Sequence, residues 1–481
     1  MKNILIVASE AIPYMKTGGL ADVVGSLPGY IDKDNYDVRV IMPKYACMDE
    51  KFLPELTQVC HFDVNLNWRK QYAGILKATH DGVVYYFVDN EFYFAGSSPY
   101  NQIYEDVEKF AFFSKAVLDA LKYIDFMPDV IHCNDWQTGL LPVFLKTIYG
   151  SDNFYFGIRT VFSIHNMKFQ GRWKIDEVAD ITGLPQHIFA YDKLESYGEA
   201  NYLKGGIVYA DKVTTVSPTY AYEITTPEGG EGLDGLMSAR REDLYGIVNG
   251  IDYDEYNPST DKYVKNHFSA EDISGKKLCK KSLQKSVGLP VKDDVFMIGM
   301  VSRMTDQKGF DLVEYILDEM LNALDIQLVV LGTGEEKYEN MFRYFQSKYP
   351  DKVSATIGYS EEVAHQIYAS CDAFLMPSLF EPCGLSQMMA MRYGTIPIVR
   401  ETGGLKDTVM AYNEYEDTGD GFSFDNYNAD DMYHVIQYAY SVYSNYPMKW
   451  EKIIKRAMNE DFSWDASARR YEELYDSIII K

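Results

Sequence analysis

Short hydrophobic runs alternate along this chain with longer stretches in which apolar residues recur every three or four positions. The short runs are rich in Val and Ile, which favours strands, and the longer stretches predict helices. Strands that are apolar on both faces and separated by helices are typical of parallel sheets covered by helices on both sides. The predicted strands are 4–7, 38–42, 83–88, 130–133, 160–164 and 212–216, followed by 296–301, 327–331, 355–357, 373–376 and 396–399.

This alternation runs twice, and a polar stretch separates the two series. Residues 249–286 are rich in Asp, Asn, Lys and Ser, and we expect a linker and the opening loop of a second domain there. The predicted fold class is therefore α/β, with two Rossmann-like domains facing a cleft. We assign residues 1–245 to the first domain and 246–459 to the second. A last helix, at about 460–481, has no strand after it and is expected to cross back to the first domain.

Composition narrows the classes of function. The chain has 481 residues, of which 47% are hydrophobic, and this is ample for large cores. Its formal net charge of -25 argues against nucleic acid or an anionic membrane as a partner, because either needs a basic face. The six cysteines include no C-x-x-C pair, which suggests neither a zinc site nor a disulfide framework and fits a reducing cytoplasm. The first apolar run is too short for a signal peptide or a membrane span. We expect a cytoplasmic protein.

The segment Thr-Gly-Gly-Leu-x-Asp-x-Val occurs twice, at 17–24 and at 402–409. Each copy follows a predicted strand and is expected to begin a helix. Paired glycines let the backbone approach a ligand, and the free N–H groups and dipole at a helix N-terminus favour an anion. The two copies predict phosphate-binding turns at one cleft, although two similar tight turns without a ligand would give the same pattern.

Two cations and a carboxylate follow strands in the second half of the chain. Arg303 and Lys308 come after the strand predicted at 296–301, where ligands bind in doubly wound sheets, and they could neutralise a diphosphate without a metal. Alternatively, they are two solvated surface cations. Glu381 follows a later strand and could hydrogen-bond sugar hydroxyls, or it could cap the helix that begins near Leu385.

In the first half, Asp135 and His165 each follow a predicted strand, so we expect them at one edge together with the loop of Lys16. A lone histidine is usually structural, and only this convergence gives His165 weight. The chain has no Ser/His/Asp order, zinc-protease motif, Walker lysine or carboxylate pair at glycosidase spacing, which disfavours hydrolysis. Neither glycine-rich turn fits G-x-G-x-x-G, so a dinucleotide oxidoreductase has little support.

The same residues resemble a known family, the bacterial glycogen synthases and plant starch synthases. The likeness runs through almost the whole chain in the family's order. It is carried by residues 16–24, 134–136, 165–166, 204–211, 217–220, 231–235, 248–252, 302–309 and 381–385. The resemblance implies a retaining GT-B glycosyltransferase that moves glucose from ADP-glucose to the non-reducing 4-hydroxyl of an α-1,4-glucan such as glycogen or a starch primer. It implies no cofactor and no metal, and UDP-glucose stays open as the donor.

The resemblance also assigns roles to residues. It implies that the second domain holds the nucleotide sugar and that the first guides the acceptor. Tyr359 would stack on the base, and the departing phosphate would itself take the acceptor proton, which explains why no side-chain nucleophile stands out. The implied catalytic residues are Lys16, Asp135, His165, Arg303, Lys308 and Glu381. The implied substrate-binding residues are Gly18, Gly19, Asp22, Asn166, Asn249, Tyr359, Cys383, Gly384 and Leu385.

Two positions depart from the family's pattern. Leu379 stands where many relatives carry Arg, and Met389 stands where the wider GT-B superfamily often has a second Glu. Two other functions stay open on the sequence: a GT-B transferase that uses another acceptor, and a catalytically silent homologue that binds glucan or nucleotide sugar. The acidic charge and the lack of a basic amphipathic helix weigh against a membrane acceptor, and the intact motifs weigh against a silent homologue.

Overall fold

A computed structural model describes residues 1–100 and 103–479 of the chain. The chain divides into two compact units, the first formed by Met1–Ile247 with Trp464–Lys481 and the second by Val248–Ser463. Each unit has its own sheet. Within the described residues, no helix combines the length and the apolar character that crossing a membrane requires.

The first unit contains a nine-stranded sheet and a separate, small three-stranded sheet. Its strands are β1 Lys2–Val7, β2 Tyr36–Pro43, β3 Thr57–Leu66, β4 Arg69–His80, β5 Val83–Asp89, β6 Val130–Asn134, β7 Arg159–Ile164, β8 Arg172–Lys174, β9 Glu195–Ser196, β10 Glu199–Asn201, β11 Lys212–Thr215 and β12 Leu244–Gly246. The small sheet has the order β8-β10-β9. Its helices are α1 Gly19–Tyr30, α2 Glu91–Phe94, α3 Ile103–Ala120, α4 Leu140–Lys146, α5 Ile175–Thr182, α6 Tyr202–Tyr209, α7 Pro218–Glu223 and α8 Asp234–Ala239.

The large sheet is mixed, whereas the hydrophobic pattern predicted parallel strands alone. Its order is β12-β11-β7-β6-β1-β2-β5-β4-β3, and the last two strands run antiparallel to their neighbours. Residues 57–66 of β3 alternate between exposed and buried positions over their second half. A strand that is solvated on one face lacks the continuous apolar run of a buried parallel strand, so the pattern missed this edge.

The second unit has a six-stranded parallel sheet in the order β15-β14-β13-β16-β17-β18. These strands are β13 Phe296–Val301, β14 Ile326–Gly332, β15 Val353–Ile357, β16 Ala373–Met376, β17 Ile396–Arg400 and β18 Phe422–Phe424. The helices are α9 Ser274–Ser286, α10 Phe310–Ala323, α11 Glu336–Lys348, α12 Glu361–Ser370, α13 Ser386–Arg392, α14 Gly403–Thr408, α15 Ala429–Asn445 and α16 Pro447–Asn459. The predicted α/β class with two Rossmann-like units is confirmed.

The polar stretch 249–286 is not loop throughout, because its last third is helix α9. Cys279 and Leu283 lie four positions apart in α9 and are buried. Residues at this spacing share one face of a helix. Lys276 and Lys280 are buried as well, and the five lysines of α9 hid the amphipathic pattern from an interpretation based on composition.

The last helix, α17 Trp464–Ile478, packs within the first unit. Trp464 and Tyr475 are fully buried, and the Tyr475 hydroxyl lies 2.8 Å from Nδ1 of His132 on β6. The other ring nitrogen of His132 lies 2.6 Å from the Ser163 hydroxyl on β7. This buried hydrogen-bonded chain ties the returning helix to the centre of the sheet.

Two glycines of the second unit give a matched test of backbone packing. Gly309 (φ 74°) and Gly288 (φ 76°) are both left-handed, but a Cβ at Gly309 would lie 2.0 Å from the Pro377 carbonyl oxygen, whereas a Cβ at Gly288 would meet nothing within 4 Å. We expect Gly309→Ala to destabilise the protein by more than about 3 kcal/mol and Gly288→Ala by about 1 kcal/mol, measured by urea unfolding. Equal losses in the two variants would contradict the packing.

Candidate functional site

The loops after β13 and β16 meet at the carboxyl edge of the second sheet. These two strands are neighbours although β14 and β15 lie between them in sequence, so the edge contains a topological switch point. Lys308 follows β13 and Glu381 follows β16, and their side chains form an ion pair with Nζ 2.6 Å from Oε2. The two residues therefore meet at the place where doubly wound sheets bind ligands.

Glu381 is buried, with 6% of its surface exposed, and its Oε2 also accepts a hydrogen bond from the Ser378 hydroxyl at 3.0 Å. Helix α13 begins at Ser386, and no side chain caps its N-terminus. The alternative that Glu381 caps this helix is therefore wrong. Its carboxylate is held by Lys308 and Ser378 instead.

The two predicted cations differ in their surroundings. The ammonium group of Lys308 has three donors, and among the described residues it uses one of them, with Glu381. Pairing with a buried carboxylate means that Lys308 is not a solvated surface cation. Arg303 is exposed, and its guanidinium forms no hydrogen bond or ion pair with any residue in the described ranges. Both side chains can therefore offer N–H donors to an anion.

The second glycine-rich turn supports the Glu381 loop. A Cβ at Gly403 (φ 45°) would lie 2.0 Å from the Glu381 carbonyl oxygen. The N–H of Gly404 donates to the carbonyl oxygens of Glu381 and Pro382, each at 3.1 Å. The expectation that this copy presents free N–H groups to a phosphate is thus wrong at Gly404, because that N–H is used within the protein.

The other predicted site residues of the second unit differ in burial and in conformation. Asn249 is buried, and its Oδ1 has no partner among the described residues, which marks a polar atom available to a ligand. The Cys383 thiol is hydrogen-bonded to Asn249, and burial raises the pKa of this thiol to about 12. Gly384 is left-handed, and Leu385 precedes α13. Tyr359 follows β15 and is 83% exposed, so a face of its ring can stack on a planar group.

In the first unit, β1 and β6 are neighbours across a second switch point. Asp135 follows β6 and is held in a left-handed conformation (φ 56°). Its Oδ1 accepts the His165 backbone N–H at 2.7 Å, and the Asn166 N–H also donates to this carboxylate. Burial raises the pKa of Asp135 to about 7. The structure thus brings Asp135, His165 and Asn166 together, as the strand ends predict.

His165 is poised as a neutral hydrogen-bond acceptor. Its Nε2 lies 2.9 Å from Oδ1 of Asn134, whose amide nitrogen donates to two backbone carbonyls and so fixes which atom faces the ring. Nε2 therefore carries the proton, and Nδ1 carries the lone pair. Burial lowers the pKa of His165 to about 4, which keeps the ring neutral near pH 7.

The first glycine-rich turn already binds a carboxyl group of the protein, which the sequence patterns missed. Glu10 is buried, and its Oε2 accepts the Thr17 backbone N–H at 2.5 Å. Gly18, whose N–H also donates to Glu10, is extended, and Gly19 begins α1. Burial raises the pKa of Glu10. The signal that could have identified Glu10 is the polar pair Ser9-Glu10, which follows the apolar strand β1 with only Ala8 between them.

Lys16 also has a carboxylate partner within its own unit. Its Nζ lies 2.6 Å from Oδ1 of Asp22 on α1, and burial raises the pKa of Asp22 although Lys16 lowers it. Nearby in the fold, the Tyr100 hydroxyl lies 2.8 Å from Oγ of Ser9. The edge of the first unit is therefore rich in carboxylates, whereas the edge of the second carries cations.

Comparisons with known proteins identify the family. Residues 3–239 match the family model described as "Starch synthase catalytic domain", and residues 283–457 match "Glycosyl transferases group 1". A glycogen synthase of Lachnospira eligens is 60% identical over 479 residues, which cover 99% of this chain and 100% of that protein. The chain belongs to the glycogen synthase family.

Solved structures agree with this assignment. The catalytic domain of starch synthase IV from Arabidopsis thaliana, bound to ADP and acarbose, matches with a TM-score of 0.92 at 32% identity, covering 99% of both chains. A sucrose-phosphate synthase from Thermosynechococcus elongatus matches with a TM-score of 0.62 at 15% identity over 99% of both chains, which shows a common fold alone. The predictions of family, GT-B fold and glycosyltransferase class are confirmed.

The raised pKa of Asp135 predicts a pH-dependent stability. A carboxyl that stays protonated in the folded state but ionises when unfolded weakens folding as the pH rises from the unfolded pKa towards about 7. Asp135→Asn keeps an oxygen acceptor for the two backbone N–H groups and removes this penalty. We expect its melting temperature, relative to wild type, to be higher at pH 8 than at pH 5 by at least about 2 °C.

The control is Asp192→Asn, which changes an exposed aspartate of the same unit. Its difference from wild type should be the same at both pH values. A difference for Asp135→Asn that does not change between pH 5 and pH 8 would show that the carboxyl is ionised in the folded protein.

Proposed function

We propose that this glycosyltransferase is a glycogen synthase, which transfers glucose from ADP-glucose to the non-reducing 4-hydroxyl of an α-1,4-glucan with retention of configuration. The observation that carries the proposal is the Lys308–Glu381 pair at a switch point, in a chain that matches a named glycogen synthase over its whole length. The second unit takes the nucleotide-sugar role, and the first unit takes the acceptor role.

Cleavage of the sugar–phosphate bond places negative charge on the departing diphosphate. Lys308 and Arg303 supply N–H donors for that charge, and Lys308 is held in place before reaction, so that it costs no reorganisation. Glu381 and Ser378 fix the position of the Lys308 ammonium. Asn249 and the 383–385 segment supply polar and backbone contacts for the glucosyl group.

The acceptor is a neutral polyol, and the first unit offers groups that suit it. The Nδ1 lone pair of neutral His165 can accept a hydrogen bond from a hydroxyl. Asp135, with a pKa of about 7, can accept or donate according to its protonation state. In this proposal, the departing phosphate takes the proton of the attacking hydroxyl on the same face of the sugar, so no side chain acts as a nucleophile.

ADP-glucose is the proposed donor because the Arabidopsis thaliana relative is bound to ADP. Tyr359 would stack on the base, and its ring would accept adenine or uracil alike. All six cysteines are free in the structure, which supports a reducing cytoplasm as the compartment. The net charge of -25 makes nucleic acid and anionic membranes unfavourable partners.

The first experiment measures nucleotide diphosphate release from ADP-glucose and from UDP-glucose, each with and without glycogen. We expect ADP release that depends on glycogen and is faster than UDP release. A protein that binds glycogen but releases neither nucleotide would be a silent homologue. Release that glycogen does not stimulate but another acceptor does would identify a different transferase.

The second experiment tests the two cations. We expect Arg303→Ala and Lys308→Gln each to lower kcat by at least about 10²-fold, as for the loss of a comparable electrostatic donor. The control, Arg343→Ala, removes an exposed arginine that pairs with Glu339 on α11 and should leave kcat unchanged. Near-normal rates in both Arg303→Ala and Lys308→Gln would exclude this mechanism.

Losing Lys308 alone leaves the Glu381 carboxylate buried without its cation, which destabilises the fold for a reason unrelated to catalysis. The double variant Lys308→Gln/Glu381→Gln separates the two effects, because the amides can still hydrogen-bond each other. Its melting temperature should recover towards that of wild type while kcat stays low. Recovery of both would mean that the pair serves stability alone.

A further inference from the structure

Three side chains of the second unit that have no role in the proposed transfer converge on one point. Glu255, Glu361 and His365 each place one ligand atom within 4.8 Å of the other two. Glu361 and His365 lie one turn apart on α12, so they share one face of that helix. Glu255 comes from the segment before α9 and is exposed.

His365 is the residue that distinguishes this cluster from a chance group of acids. It is 1% exposed, and its Nδ1 lies 2.7 Å from Oδ2 of Asp261. Its Nε2 is buried and has no hydrogen-bond partner among the described residues. A buried nitrogen without a partner is costly. One nitrogen of this ring also lies within 4.8 Å of a carboxylate oxygen of each glutamate, and Nδ1 is already engaged by Asp261, so Nε2 is the nitrogen left for a ligand.

The ring of His365 is held in one orientation. Tyr256 stacks on it with ring centres 4.8 Å apart and an angle of 16° between the planes. The Tyr393 hydroxyl also donates to the Asp261 carboxylate, which keeps that acceptor in place. A carboxylate on one ring nitrogen fixes the tautomer so that the lone pair lies on the other, as in many histidine ligands of metal ions.

We propose that Nε2 of His365 and the carboxylates of Glu255 and Glu361 bind a divalent transition-metal ion, with Zn²⁺ as the best fit. Imidazole with carboxylate suits Zn²⁺ better than the hard cations Mg²⁺ and Ca²⁺, which favour oxygen alone. Ligand atoms about 2.1 Å from one ion lie at most about 4.2 Å apart, so the cluster closes on an ion with a small movement. The exposed Glu255 side chain can supply that movement, and water completes the coordination.

The ion would act as a clamp. It joins the first turn of α12 to the segment that carries Glu255 and Asp261, and α12 begins two residues after Tyr359. Binding an ion to the folded state alone raises the stability of that state. The ion would therefore stabilise the second unit and would take no part in the transfer reaction.

The test uses the full-length protein after removal of metal with a chelator. Titration with ZnCl₂ is followed by calorimetry, and titration with Co²⁺ by visible absorption, which reports coordination directly. We expect wild type to bind Zn²⁺ and to melt at least about 2 °C higher with excess Zn²⁺. Glu255→Gln and Glu361→Gln should each weaken binding at least about 10-fold and reduce the Co²⁺ absorption.

The matched control is Glu362→Gln, which changes the exposed neighbour of Glu361 on α12 and should bind as wild type does. Glu255→Gln alters an exposed side chain, so this variant keeps the test valid if Glu361→Gln fails to fold. Wild type that binds no Zn²⁺ would overturn the proposal. So would equal binding by wild type, Glu255→Gln and Glu362→Gln, because the ion would then lie elsewhere.

Discussion

Backbone packs directly on backbone where the strand-end loops of the second unit meet, and the position of Glu381 depends on this contact. The space that a Cβ would need at Gly403 is filled by the Glu381 carbonyl, and at Gly309 it is filled by the Pro377 carbonyl. The loops after β13, β16 and β17 are thereby locked against one another. Only in this arrangement does the Lys308 ammonium reach a carboxylate that is nearly removed from water. A buried carboxylate in turn requires a cation beside it. The backbone packing of this edge and the ion pair therefore depend on each other.

Both copies of the repeated glycine-rich segment use a backbone N–H group within the protein. In the second unit, the Gly404 N–H is used by the Glu381 loop, and in the first unit the Glu10 carboxylate takes the Thr17 N–H. In the second turn, the close approach that glycine permits is made by the protein's own backbone, and in the first turn a side chain of the protein takes the N–H. In the proposed function, recognition of a diphosphate would then depend more on the side chains of Arg303 and Lys308 than on the N–H groups of Thr17 and Gly404.

The sequence predicts what local patterns encode. Strands that are buried on both faces were found, and with them the strand-end residues Asp135, His165, Lys308 and Glu381, because parallel strands bring their carboxyl ends to one edge. The half-solvated β3 and the lysine-rich α9 were not predicted, since neither shows a continuous apolar run. The hydrophobic pattern also could not predict which side chains would contact each other. Lys308 and Glu381 form an ion pair although they lie 73 residues apart, and the Glu10 side chain accepts a hydrogen bond from the backbone seven residues later. Substrate identity came from family resemblance, because similar switch points serve many chemistries.

The two edges differ in charge in a way that bears on the roles of the units. The first unit gathers Glu10, Asp22 and Asp135, and burial raises the pKa of each. Asp135, whose pKa is raised to about 7, repels an anion less when it is protonated and can still exchange hydrogen bonds with hydroxyls, which suits a neutral glucan. The second unit places Arg303 and the paired Lys308 at its edge, which suits a diphosphate. In a chain with a net charge of -25, Arg303 opposes the overall repulsion of an anionic donor at that edge, whereas the charge of Lys308 is balanced by Glu381. The charge of Arg303 thus supports the proposed donor role of the second unit on a ground that is separate from the family resemblance.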